Sequence, residues 1–185
     1  MPDSAAGAGA PAIETARLRL IPFAPAQLLA LFEGVPQFEQ RMGMRIADGL
    51  RDFFVSGEVS PDWLAGLRAA TGDEDPWQFG FAIIDRASSS VVGSASLGGP
   101  PDAEGMVELS YGVAPGYQGR GYATEVAAAL VAHAFGSGRG VRLVRAHTRP
   151  EPNASTRVLT KCGFRRIGEV VVPEDGLVWR WEREA

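Results

Sequence analysis

Gln118-Gly119-Arg120-Gly121 stands between the end of an extended segment, Val113-Ala114-Pro115, and an alanine-rich run that starts at Tyr122. Two glycines at a helix mouth cost backbone entropy, a cost that a bound group can offset. The first turn of a helix has unpaired N–H groups and the positive end of the helix dipole, so it attracts anions. Gly119 and Gly121 lack side chains that would keep a phosphate away, and both tolerate the dihedrals of an anion-binding nest. Arg120 adds a positive charge. The chemistry on offer is a phosphate cradle. The lysine and Ser/Thr of a nucleotide P-loop are missing, because Tyr122 and Ala123 follow the last glycine. A dinucleotide fingerprint wants an acid about twenty residues further on, and none lies between Glu125 and Glu151. A tight turn alone would not require glycines at both 119 and 121 with a glutamine in front.

The cradle needs elements to hold it. "RLRLIPF" (17–23) alternates, with Leu18 and Leu20 on one face, and reads as a first strand. "PAQLLALFEG" (25–34) reads as a short helix closed by Gly34. Ile46, Leu50, Phe53 and Phe54 recur at helical spacing. "SPDWLAGLRAA" (60–70) has Ser60 as cap and Pro61 at the first helical position. From Trp77 the period falls to two: Trp77, Phe79, Phe81 and Ile83 predict a strand, and "SVVGSASL" (90–97) predicts another after the polar loop "DRASSS". "MVELSYGV" (106–113) reads as the next strand, with Val107, Leu109, Tyr111 and Val113 facing one way. Positions 123, 126, 127, 130, 131 and 134 form the apolar stripe of an amphipathic helix, with His133 on its outer face. A strand at 141–148, a helix that stops at Gly163, and a hairpin about "PEDG" close the chain. The fold class is α+β: a mixed, mostly antiparallel sheet of about seven strands with helices on both faces. The helical crossover makes the strands at 106–113 and 141–148 parallel.

Composition narrows the partners. A chain of 185 residues suits one domain with a real core. Residues 1–12, all small or polar apart from the first methionine, read as a floppy tail before a single domain at 13–185. The net charge of −4 and the lack of a basic block argue against nucleic acid as a partner. One cysteine excludes an internal disulfide, and no Cys/His spacing suggests a metal. The opening segment has neither a basic cluster nor a long apolar run, so no membrane anchor is expected, and a cytoplasmic location fits.

Gln118, Gly121 and Ala123 after a strand ending in "VAP" resemble the acyl-CoA pyrophosphate loop of the GCN5-related N-acetyltransferase (GNAT) superfamily. "TARLRLIPF", "VELSYGVAPGYQGRGYATE" and "NASTRVLTKCGF", in this order, are similar to the branch that acetylates N-terminal amines of ribosomal proteins, the RimJ/RimL-like proteins. The resemblance implies a GNAT-like fold with acetyl-CoA as cosubstrate. It places the pantetheine arm along Tyr111, Gly112 and Val113, and the pyrophosphate on the loop of Gln118, Gly119, Arg120, Gly121, Tyr122, Ala123 and Thr124. Asn153 and Ser155 resemble positions near the pantetheine and the sulfur, although both are also good helix caps. The acceptor is an amine, either a protein N-terminus or a small molecule such as an antibiotic or polyamine, with the stretch 34–70 forming much of its pocket. A non-catalytic acyl-CoA-binding module is the alternative, and a homodimer is common in the family.

Acetyl transfer from a thioester needs a base for the amine, a place for the oxyanion and a proton for the thiolate. A backbone N–H near Val113 suits the oxyanion. Glu108, five residues before Val113 and opposite in face to Val107 and Leu109, is the candidate base, and the branch often has "VE" there. Its other reading is a glutamate that only hydrogen-bonds or faces solvent. Many family members place a tyrosine four residues before the "GF", where this chain has Leu159. Ser155, Cys162 and water remain as proton sources. Cys162 reads chiefly as a small core residue. His147 reads as structural, with the acceptor pocket as its other place.

Overall fold

Leu18 and Leu20 alternate with Arg17 and Arg19, and the two-residue period puts both leucines, fully buried, on one face of strand β2 (Leu18–Pro22). The computed structural model describes residues 11–55 and 60–185, so most of the tail expected at 1–12 lies outside the described residues. A short β1 (Ile13–Glu14) precedes β2. Four helices follow: α1 (Pro25–Glu33), α2 (Val35–Met42), α3 (Leu50–Val55) and α4 (Pro61–Ala69). Pro25 and Pro61 start their helices where a missing N–H costs nothing, and the Ser60 side chain accepts from Trp63 N. Ile46, expected at helical spacing with Leu50, instead makes an isolated bridge to Val91 ahead of α3.

The next strand, β3, runs Phe81–Asp85 and not from Trp77. Asp75 accounts for the difference. Its carboxylate accepts from Trp77 N and its carbonyl from Gln78 N, which folds 75–79 into a turn. Gly80 then takes φ +75°, where a Cβ would meet Ala95 O at 2.6 Å. His133, expected on the outer face of its helix, packs edge-on against Trp77 and Phe81, with centroids 5.6 and 6.4 Å away. That burial, with Arg139 nearby, lowers its pKa.

Strand β4 (Ser90–Ser96) pairs with β3. The expected strand 106–113 is two strands, β5 (Met106–Glu108) and β6 (Ser110–Val113), in different sheets. After β6 come a 3-10 turn (Pro115–Tyr117), α5 (Tyr122–Gly136), β7 (Leu143–Thr148), α6 (Ala154–Lys161), and the hairpin β8 (Arg165–Val172) and β9 (Gly176–Glu184). One sheet has the order β1-β2-β3-β4-β6 and the other β5-β7-β9-β8. Splitting one strand and adding β1 turns the expected seven into nine among the described residues. β5 and β7 are parallel, as the helical crossover requires, and all other pairs are antiparallel. Helices cover both faces. One core cluster joins Val126, Leu130 and Leu159 of α5 and α6 to Leu18, Val92 and Val144 of the strands. The other joins Leu28, Phe38 and Leu50 of the N-terminal helices to Ala82 and Ile84.

Candidate active site

Gly119 and Gly121 have φ +73° and +81°, in the left-handed region where a side chain is strained. Gly121 is the N-cap of α5. The helix ladder begins with Glu125 N donating to Gly121 O at 3.1 Å, which leaves the amides of 122–124 outside it. A cavity of about 260 Å³ opens in front of them, lined by Val113, Gly119, Gly121, Ala123 and Thr124. Arg157 and Lys161, one turn apart on α6, line it as well. Sequence reading missed this pair, although the four-residue spacing of two cations in "STRVLTK" was a usable signal. Arg120 does not line the cavity. Its guanidinium donates back to Gly116 O at 2.8 Å and lies 4.9 Å above the Tyr117 ring. Gln118 Nε2 donates to Val113 O at 3.0 Å and ties the loop to the end of β6.

The mouth is braced from below. Tyr122 Oη donates to Asp85 at 2.8 Å. The Glu125 carboxylate accepts from Thr15 Oγ1, Arg17 N and Arg17 Nε at 2.6, 2.8 and 2.8 Å, and Arg17 Nη1 donates to Arg120 O at 2.8 Å. Burial pushes both carboxyl groups up. Hydrogen bonds outweigh it, from Ser88 and Tyr122 at Asp85 and from Thr15 and Arg17 at Glu125, and hold both below the usual range. The bond to Asp85, with burial, raises the Tyr122 phenol.

Between mouth and base the strands part. Leu109 N donates to Arg145 O at 2.7 Å, and beyond it, among the described residues, β6 pairs only with β4. Ala114 N donates to Val92 O on the β4 side, so by alternation the N–H groups of Tyr111 and Val113 point to the open side. The backbone of Gly112 is turned to β4. Tyr111 Oη approaches Ser155 O at 3.5 Å, reaching from β6 to the first turn of α6, and burial raises its pKa. Asn153 is the N-cap of α6, accepting from Thr156 N at 3.0 Å. Leu159 is 1% exposed, in the core. Cys162 is buried, and burial raises its thiol pKa, as suits an inert core residue.

Glu108, Ser110 and Gly112 share the opposite face by the two-residue period. Glu108 is the exposed one of β5. The ring of Phe53, from α3, lies on Gly112, where a Cβ would come within 2.7 Å of Phe53 Cζ. His147 Nδ1 is 2.8 Å from Glu108 Oε1. His147 also lines a cavity of about 600 Å³ that Glu151, Glu174 and Asp175 border. The candidate residues therefore fall into two groups, a phosphate-sized mouth on the α5–α6 side and a carboxylate–imidazole pair on the other. The parting of β6 from β7 joins them.

Among the described residues, no group of three or more His, Cys, Asp or Glu is placed to hold a metal ion, and no helix is long and apolar enough to cross a membrane. Residues 17–165 match the family model of the acetyltransferase (GNAT) domain. No curated protein matches the chain. Among solved structures, a GNAT-family acetyltransferase of Bacillus anthracis superposes with a TM-score of 0.62 at 20% identity, over 94% of this chain and 98% of that one. The RimL ribosomal L7/L12 α-N-protein acetyltransferase, in complex with coenzyme A, gives 0.61 at 16% identity over 94% and 98%. RimJ of Mycobacterium smegmatis, in complex with a CoA disulfide, gives 0.61 at 23% over 91% and 82%. At these identities the likeness is one of fold.

Proposed function

The chain belongs to the GNAT acetyltransferase family, and we propose that it moves the acetyl group of acetyl-CoA to a primary amine, the N-terminal amine of a protein chain. The observation that carries this reading is the parting of β6 from β7 at Leu109, between the phosphate mouth and Glu108. An extended amide chain such as pantetheine fits the open side of β6, where the N–H groups of Tyr111 and Val113 can donate to it and Gly112 adds no side chain. The amides of Gly119 to Thr124 would hold the pyrophosphate, with Gln118 keeping the loop in register and Arg157 and Lys161 neutralising charge.

The thioester carbon then lies near the break, within reach of an amine arriving on the Glu108 face. Glu108 takes the ammonium proton, directly or through water, and the freed lone pair forms the N–C bond. A backbone N–H of the open strand steadies the oxyanion. The C–S bond breaks, and the departing thiolate takes a proton from Ser155 as the nitrogen of the collapsing intermediate gives one back to it, since Leu159 has none to give. The resemblance to the ribosomal-protein branch favours a protein N-terminus. The acidic border of Glu151, Glu174 and Asp175 favours a second reading, a small polycationic amine.

Mass spectrometry of the protein with acetyl-CoA and two acceptors, a peptide with a free N-terminal serine and spermidine, tests both. A gain of one acetyl group on the peptide alone supports the first reading, and on spermidine alone the second. Neither product, with no acetyl-CoA binding by calorimetry, would overturn the assignment.

A further inference from the structure

A half-exposed carboxylate on a strand samples several rotamers, and a general base must hold one. The contact that restrains Glu108 comes from His147, whose Nδ1 lies 2.8 Å from Oε1. A carboxylate oxygen accepts, so Nδ1 carries the hydrogen of this contact. Exposure separates the roles. The Glu108 side chain is 50% exposed and that of His147 15%. Nε2 is sealed from solvent and has no hydrogen-bond partner among the described residues. Glu108 can meet an acceptor amine. The imidazole nitrogen that could act as a base cannot.

Resting on the reading of Glu108 as base, we propose that His147 is a positioning residue for acetyl transfer, its Nδ1–H locking the Glu108 carboxylate beside the parted strands. Strand register sets what lies behind the imidazole. His147 faces Arg180 across β7 and β9, and Arg180 Nε is the other buried side-chain polar atom without a partner among the described residues. The neighbouring Arg145 is held by Glu182, at 2.9 Å from Nε, and leaves Glu108 to the histidine. Glu151, Glu174 and Asp175 border the cavity beyond.

Two measurements test the proposal. Imidazole ¹⁵N shifts of the whole protein should show His147 as the Nδ1–H tautomer, and should change in Glu108→Gln. An Nε2–H tautomer would overturn it whatever the acceptor. In the second, CoA release is followed with the serine peptide and spermidine. His147→Leu should lower kcat by about tenfold to a hundredfold, the scale of a displaced catalytic group, with KM for acetyl-CoA unchanged. His147→Asn, which keeps a donor near the Nδ1 position, should restore most of it. His147→Leu should cost nothing further in Glu108→Gln. A slow Glu108→Gln beside a folded His147→Leu of wild-type rate would overturn the positioning role alone. A wild-type rate in Glu108→Gln would instead remove Glu108 as base.

Discussion

The Tyr122 hydroxyl donates to the Asp85 carboxylate at 2.8 Å and ties the first residue of α5 to the last of β3. Asp85 is 4% exposed and held below the usual carboxyl range. Its stabilisation is therefore present above the ordinary aspartate pKa and lost as pH falls through the folded value. Tyr122→Phe removes one of the bonds responsible. Urea denaturation should show a loss of about 1–3 kcal/mol at neutral pH and a smaller loss near pH 3. An equal loss at both would show that the bond does not set the carboxyl's protonation.

Arg157 and Lys161 face the phosphate mouth across its cavity. Arg157→Glu and Lys161→Glu should each weaken acetyl-CoA binding by about tenfold or more, the scale of a charge-assisted hydrogen bond. The deficit should shrink as salt screens it. Calorimetry at two ionic strengths is the measurement, and salt-independent affinity would place the phosphates elsewhere. Gly121→Val is a blunter probe, because φ +81° strains any side chain there by about 1–2 kcal/mol before a ligand arrives.

Glu108→Gln keeps the shape and removes the basic oxygen. We expect kcat to fall by roughly 10²–10⁴, with acetyl-CoA affinity nearly unchanged. The loss should narrow at high pH, where more of the amine is already neutral. A deficit that stays constant with pH would point to binding in place of proton transfer.

Leu159→Ala should cost about 2–5 kcal/mol of stability, as for other buried leucines, and leave the pH profile of the chemical step alone. Ser155→Ala should do the reverse, slowing the step in a protein of nearly normal stability. Stopped-flow rates beside thermal melts separate the two. A slowed step in Leu159→Ala alone would move the proton source away from Ser155.

Burial, partly offset by the Ser155 side chain, raises the Tyr111 phenol above its usual value. Its contribution to stability is thus full below about pH 10, the unfolded phenol pKa, and fades as pH rises toward the folded value. Alkaline unfolding should be less steep in Tyr111→Phe than in the parent, with the raised Tyr122 supplying the slope that remains. Superimposable alkaline limbs would mean that the phenol ionises freely in the folded protein.

Local periodicity made most elements readable. Leu18 and Leu20, the stripe of α5 and the Ser60 cap are all decided within a few residues of sequence. The misreadings have two sources, a local turn read as strand and a distant partner. At Trp77 the cause is local, since Asp75 and Pro76 are turn formers directly before it, whereas Leu109 ends a strand only because Arg145 O, far along the chain, takes its N–H. The mouth was legible because its glycines are consecutive in chemistry and in space. The Glu108–His147 pair was not, since its members sit 39 residues apart and meet only when β5 and β7 align. Arg120, read from sequence as a charge for the mouth, donates to its own loop at Gly116 O, a contact that spacing alone does not show.

The outward amides at 111 and 113 also make a gauge. Among the described residues no strand lies beside them on that side, and their hydrogens can trade with deuterium through solvent. A pantetheine seated along them would slow that trade at these two alternate positions while leaving 110 and 112, already bonded to β4, as they were. Occupancy of the cosubstrate could then be read as an every-other-residue stripe of protection, with no acceptor present and no turnover needed.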